Sequence, residues 1–152
     1  FLKKNNFSKS VKGAKINKGL IREEIFSNLE KKIKLESYIH KQVKASRNDF
    51  LKKHKRKKNK IIILDIPLLF EAKLEGVCDY IVLLYSPQKK RIARALKRPG
   101  MSKKILQKIL KNQLSDQYKK KKSDFVINTS KTKHQTFKMI LKTISIIIKE
   151  NA

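Results

Sequence analysis

The residues placed to meet a ligand fall in three short segments: Asp65 with Ile66 to Glu71, Ser86 to Gln88, and Asn128-Thr129-Ser130. Each follows an apolar run that reads as a strand. In open α/β sheets the ligand lies outside the carboxyl ends of the strands, so the three segments should share one edge of a sheet. An aspartate closing such a run suits a magnesium ion beside phosphates, because a hard cation takes carboxylate and water oxygens. A structural strand-end cap accounts for Asp65 equally well. The phosphate cradle itself is missing from the sequence, since Gly13, Gly19, Gly76 and Gly100 never take the G-x-x-x-x-G-K-[ST] spacing. H-E-x-x-H, C-x-x-C and G-x-S-x-G are also missing, and His40, His54 and His134 lie far apart. Metal-ligand sets and activated nucleophiles therefore have no positive support, and no metal site is assigned to the chain's own residues.

Three apolar runs would position these segments. Ile61-Ile62-Ile63-Leu64 and Tyr80 to Tyr85 are continuous and rich in β-branched residues, as expected of parallel strands buried on both faces, and Phe125-Val126-Ile127 is a shorter third. Helical spacings separate them. Ile25, Leu29 and Ile33, then Leu35, Ile39 and Val43, predict one or two helices over roughly residues 20 to 56, behind a polar, lysine-rich stretch at 3 to 19 that reads as loop. Pro87 suits the first turn of a helix to about Arg98; Pro99-Gly100 breaks it, and Ser102 starts another to about Lys122. A last helix, about Thr132 to Lys149, places Phe137, Ile140, Leu141, Ile144 and Ile148 on one face. Strands alternating with helices predict an α/β fold.

Composition narrows the function class. The 152 residues hold 40 Lys+Arg against 12 Asp+Glu, a formal charge of +28, yet 39% are hydrophobic, enough for a core. Such charge suggests nucleic acid, but 34 of the cations are lysine and only 6 are arginine, the residue that reads bases and phosphates bidentately. A Lys/Ile/Asn excess is also what an AT-rich genome produces, so a solvated lysine surface is the plainer reading. The run Lys52 to Lys60 is the strongest candidate for a localisation-type or phosphate-binding patch, with a solvated helix end and loop as the plainer reading. The single cysteine, Cys78, excludes an internal disulfide and suggests a reducing cytoplasm. The longest apolar runs are too short to span a bilayer and carry Asp65 and Lys142, so no membrane partner is expected.

Read together, the motifs resemble a known family. Asp65-Ile66-Pro67-Leu68-Leu69-Phe70-Glu71 looks like the D-x-P-L-L-x-E segment of dephospho-coenzyme A kinases. Arg94 to Arg98 with Gly100-Met101-Ser102, then Gln113, Lys119 and Ser123 to Asn128, match the family's later motifs in order and spacing. Upstream, Ile16-Asn17-Lys18, Ile25 to Asn28 and Leu35 to His40 are similar to its I-D-R, V-F-x-d and L-E-x-I-x-H-P. The resemblance covers roughly residues 16 to 150. Asn17-Lys18 replace Asp-Arg, Lys41 stands where proline is usual, Arg91 where glutamine is, and Thr129 where asparagine is.

The resemblance implies a P-loop NTPase-type parallel sheet flanked by helices, with the phosphate-loop strand and its helix lying outside these residues. The chain would then be the carboxyl-terminal part of one kinase domain: loop-like 1–19, a helical acceptor region at 20–58, core at 59–85 and 123–150, and a lid-like helical region at 86–122. It implies transfer of the γ-phosphoryl of ATP, with Mg2+, to the ribose 3′-hydroxyl of dephospho-CoA, by positioning and charge neutralisation. Arg94 and Arg98 would meet phosphoryl oxygens, as guanidinium forks do; surface ion pairs are the alternative. Asp65, Pro67, Leu68, Leu69 and Glu71 would bind the acceptor rather than merely cap the sheet, and His40, Gln113 and Lys119 would join them, or be structural and solvated. Arg98, Asn128, Thr129 and Ser130 would line the ATP site. The general base and phosphate-loop lysine have no counterpart here, so the isolated chain is expected to be an inactive, poorly stable monomer in the cytoplasm. A small basic nucleic-acid-binding protein, or a non-catalytic nucleotide- or CoA-binding paralogue, is the competing reading; no sequence-specific nucleic acid is expected.

Overall fold

The computed structural model describes residues 1–7, 10–12 and 15–151. Two compact units result, 1–64 and 65–152.

The first unit is built on two helices punctuated by asparagine. α1 (Lys18–Ser27) starts at Asn17, whose side chain accepts the N–H of Gly19 and Leu20. α2 (Leu29–Arg56) starts at Asn28, whose extended backbone separates the helices and whose side chain accepts the Lys31 N–H. These short acceptors satisfy backbone donors that a helix start leaves orphaned, which splits one apolar periodicity into two helices. The opening residues, expected as loop, are more ordered than their lysine content suggests. β1 (Val11–Lys12) and β2 (Lys15–Ile16) pair antiparallel, and Phe7 and Ser10 are buried. Ser10 Oγ donates to Glu24 Oε1 at 2.6 Å, while Lys31 Nζ donates to the Asn6 carbonyl at 2.6 Å and stands over the Phe7 ring. One aromatic and one salt-bridged lysine are enough to dock a polar segment.

The expected strand over Ile61–Leu64 is not present: no ladder includes it among the described residues, and Ile63 is 73% exposed. β-branched side chains favour extended backbone, but a strand exists only through a neighbour's hydrogen bonds, and this run has none.

In the second unit, β3 (Val82–Tyr85) and β4 (Phe125–Asn128) run parallel in unbroken register, Val82 opposite Phe125 through Tyr85 opposite Asn128. The pairing is fixed at its start by Asp124, whose carboxylate accepts the Ile81 N–H at 2.7 Å while its own N–H donates to the Ile81 carbonyl. The α/β class and parallel pairing match the sequence-based expectation. α3 (Gln88–Leu96) follows Pro87, and α6 (Lys133–Glu150) opens with a reciprocal capping box between Thr132 and Gln135 and packs along β4. α3 stops two residues short of Arg98, leaving that arginine in the turn before Gly100, whose φ of 74° needs glycine. The single helix expected over Ser102 to Lys122 is two, α4 (Lys103–Lys111) and α5 (Asp116–Lys121). Ser102 caps the first and Ser115 the second, and the intervening Leu114 N–H is taken by Glu71 instead of a helical carbonyl.

Cover over this small sheet is uneven. Ile127 is 2% exposed, whereas Leu84, beside it in the ladder, is 59% exposed, and Val126 on the opposite face is also exposed. Phe137, Leu141 and Ile148 of α6 are exposed as well. Both faces of a parallel pair are normally covered, so this much open apolar surface weakens cooperative packing. The 152-residue chain should therefore bind a hydrophobic dye at neutral pH and melt broadly; a sharp, reversible calorimetric transition without dye binding would contradict this.

Candidate functional site

The parallel register sets two predicted segments side by side at the carboxyl ends of β3 and β4. Thr129 donates from both its N–H (2.7 Å) and its hydroxyl (3.0 Å) to the Tyr85 carbonyl, and Asn128 Oδ1 accepts the Ser130 N–H at 2.9 Å. Ser86 is buried, and its Oγ accepts a 2.6 Å hydrogen bond from Arg94 Nη2. Arg94 Nε reaches the Lys90 carbonyl at 3.4 Å, and Lys90 Nζ reaches the Ser130 carbonyl at 3.2 Å. Lys120 Nζ sits 3.6 Å from the centre of the Tyr85 ring. Three cations, Lys90, Arg94 and Lys120, are thus fixed to the ends of the strand pair. Arg94 retains its Nη1 donors for an anion, a geometry suited to phosphoryl oxygens. Beyond Thr129 a groove of about 320 Å³ is lined by Lys131, Lys133, Thr136, Phe137 and Ile140. A larger hollow of about 570 Å³ lies along the end of α2 among Asp49, Lys52, Lys53, Arg56 and Lys57, all from one helix end, so it is space between side chains and not an enclosed site.

A second cluster holds α5. Glu71 Oε1 accepts both the Leu114 N–H at 3.0 Å and Lys119 Nζ at 2.7 Å, with the two side chains only 13% and 14% exposed. Burial raises the Glu71 pKa, but the hydrogen bonds from Lys119 and from backbone N–H groups outweigh it, so the carboxyl titrates below its ordinary value. Its Oε2 is buried without a partner. At the start of α5, Arg91 grips Asp116 bidentately at 2.8 and 2.7 Å.

The remaining predicted residues are dispersed. Asp65, Pro67 and Leu68 are exposed and Leu69 half-buried on the turn leading to Glu71; Gln113 is exposed in the link before α5; Arg98 is exposed in its turn. His40 belongs to the first unit, exposed midway along α2. Among the described residues no three His, Cys, Asp or Glu side chains gather as a metal site. Sequence reading overlooked Lys90, Lys120 and the Arg91–Asp116 pair. Asp116 offered a signal, as the only acid between Lys103 and Lys122.

Because the folded pKa of Glu71 lies below the unfolded one, its stabilisation is complete above the ordinary glutamate range of about 4.3 and is lost as pH falls through the folded value. Glu71→Gln should cost about 1.5–3 kcal/mol in urea unfolding near neutrality, the range for hydrogen bonds to charged groups, and should flatten the acid limb of the stability curve. An unchanged acid limb would contradict the pairing.

Comparisons with known proteins identify the family. The family model described as dephospho-CoA kinase matches residues 4–135. A dephospho-CoA kinase of Bartonella quintana is 31% identical over 145 residues, 95% of this chain and 74% of that protein. One from Fusobacterium nucleatum is 35% identical over 130 residues, 85% of this chain and 65% of the relative. Among solved structures, TT1252 from Thermus thermophilus superposes with a TM-score of 0.74 at 25% identity, covering 95% of this chain and 73% of that one. The dephospho-CoA kinase from Campylobacter jejuni gives 0.68 at 25% identity, covering 99% and 75%. The chain thus spans about two thirds to three quarters of the length of these relatives and belongs to the dephospho-CoA kinase family of P-loop kinases.

Proposed function

We propose that this chain carries the acceptor-binding and lid portion of an ATP-dependent kinase that phosphorylates the ribose 3′-hydroxyl of dephospho-CoA, the last step of coenzyme A synthesis. The supporting observation is the strand-end cluster, in which Arg94 is held on buried Ser86 beside Lys90 and the Asn128–Ser130 turn. A guanidinium fixed before the ligand arrives stabilises developing phosphoryl charge without reorganisation, the main source of rate in phosphoryl transfer. Arg98, free in its turn, would swing onto the same phosphates.

The acceptor would rest against Asp65, Pro67, Leu68, Leu69 and Glu71. Gln113 and Lys119 would close from residues 86–122, Lys119 being held ready by Glu71. The adenine of ATP would lie along Asn128, Thr129 and Ser130. Mg2+ would arrive with the nucleotide, because this ion is commonly held by one or two carboxylates, waters and substrate phosphates; Asp65, an exposed carboxylate, suits that role. A monomer in a reducing cytoplasm is consistent with the lone cysteine, Cys78, and no described helix is long and apolar enough to cross a membrane.

The sequence contains no G-x-x-x-x-G-K-[ST], so the 152 residues alone should give no turnover. Fused behind a phosphate-loop segment from the Campylobacter jejuni enzyme, the chain should release ADP in the presence of dephospho-CoA. Arg94→Ala in that fusion should lower kcat/KM about 10²–10³-fold, as loss of one preorganised donor does. A folded fusion without turnover would overturn the reading, and an active one indifferent to Arg94→Ala would remove that arginine from it.

A further inference from the structure

Charge is distributed very unevenly along α2. In its first half, ion pairs offset the cations: Glu30 with Lys34 at 2.6 Å, Glu36 with Lys32 at 3.9 Å, and Lys31 with Glu24 of α1. From residue 41 to 60 the pattern changes, with ten Lys or Arg and one acid, Asp49. Half of these positions are cationic, against about a quarter of the whole chain (40 of 152), so a uniform lysine bias does not account for them.

Five of the seven cations between 41 and 56 share one face, with Arg47 and Lys53 outside it. At 100° per residue, Lys41, Lys44, Lys52, Lys55 and Arg56 fall within an arc of about 120°, and the stripe from 41 to 56 is about 22 Å long. All five are exposed and none has an ion pair among the described residues. Lys57, Lys58 and Lys60 extend the charge past the helix end, where Lys58 turns back in the left-handed region at φ 55°. Like charges three and four residues apart repel along a helix; the helix dipole favours those of the last turn, Lys53, Lys55 and Arg56, and Asp49 is the one acid nearby. A polyanion lying along the stripe would relieve the repulsion that is left.

We infer that the Lys41–Arg56 face of α2 is a docking surface for the phosphate backbone of double-stranded DNA, bound without regard to sequence. Duplex DNA carries one phosphate per about 3.4 Å of axis on each strand, so a stripe of five cations about 22 Å long has several phosphates within reach, and the B-form major groove, about 12 Å wide, admits a helix. Lysine supplies point charges without base reading, which fits sequence-independent contact. A membrane surface fits less well: on the opposite face only Ile39, Val43 and Phe50 are exposed and apolar, with Lys53 and Lys57 beside them. This inference is independent of the kinase reading.

The test is fluorescence anisotropy of the full chain on a mixed-sequence DNA duplex of about 20 base pairs, from about 50 to 200 mM salt. With five phosphates neutralised, affinity should fall about 500-fold across that range. The variant K41Q/K44Q/K52Q/K55Q/R56Q should lose most of the affinity and show less than about a tenfold salt effect. A control with five other exposed lysines neutralised, K89Q/K103Q/K104Q/K138Q/K149Q, should stay within about threefold of the parent, with circular dichroism confirming equal helix content. Equal losses in the two variants would overturn the inference. So would tighter binding to anionic phosphatidylserine vesicles, or to an RNA duplex of the same length, whose major groove is too narrow for a helix.

Discussion

The parallel register of β3 against β4 is the constraint on which the second unit depends. Four residue pairs, closed at one end by Asp124 on Ile81 and at the other by Thr129 on Tyr85, decide which side chains meet at the carboxyl edge. A slip of one residue would turn Ile127 out of its buried position and carry Thr129 away from the Tyr85 carbonyl. Ser86, and with it Arg94, is placed only because Tyr85 ends the strand where it does. The cationic cluster is therefore a product of backbone pairing more than of attraction between its members, which all carry the same sign.

Around that edge the unit uses its few acids as fasteners. Asp116 holds Arg91, Glu71 holds Lys119 and Leu114, and Asp124 holds Ile81. In a chain with 12 acids against 40 bases, each of these pairs joins elements distant in sequence. The short α5, six residues that would not persist alone, is held by two ion pairs, Asp116 to Arg91 and Lys119 to Glu71. That arrangement fixes Lys119 and Lys120 on a short helix in a run of like charges, Lys119 to Lys122.

Much of this was legible from residues alone. The family emerged from motif order, and the α/β class with its parallel pair emerged from β-branched runs alternating with helical spacings. Asn128 to Ser130 and Ser86 were placed because strand-end loops share an edge. Ile61–Leu64 read as a strand because propensity is local, while the hydrogen-bond partners that make a strand are not. The break between α4 and α5 escaped notice because Leu114 finds its acceptor 43 residues away, in Glu71. The docking of Phe7 was hidden for a similar reason, since the side chain over its ring, Lys31, lies on α2 and not in the lysine-rich stretch around it. His40, Gln113 and Arg98, matched by motif, are exposed residues whose roles the fold alone does not assign.

If the strand pair is what organises the site, its amides must be the slowest in the second unit to exchange with solvent. Native-state hydrogen exchange should show the Phe125 and Thr129 N–H groups, bonded to Ile81 and Tyr85, opening only with unfolding of that unit and together with the core of α6. Exchange of these two amides at the rate of exposed loops, while α6 stays protected, would mean that the pairing does not hold the site and would contradict the account at its base.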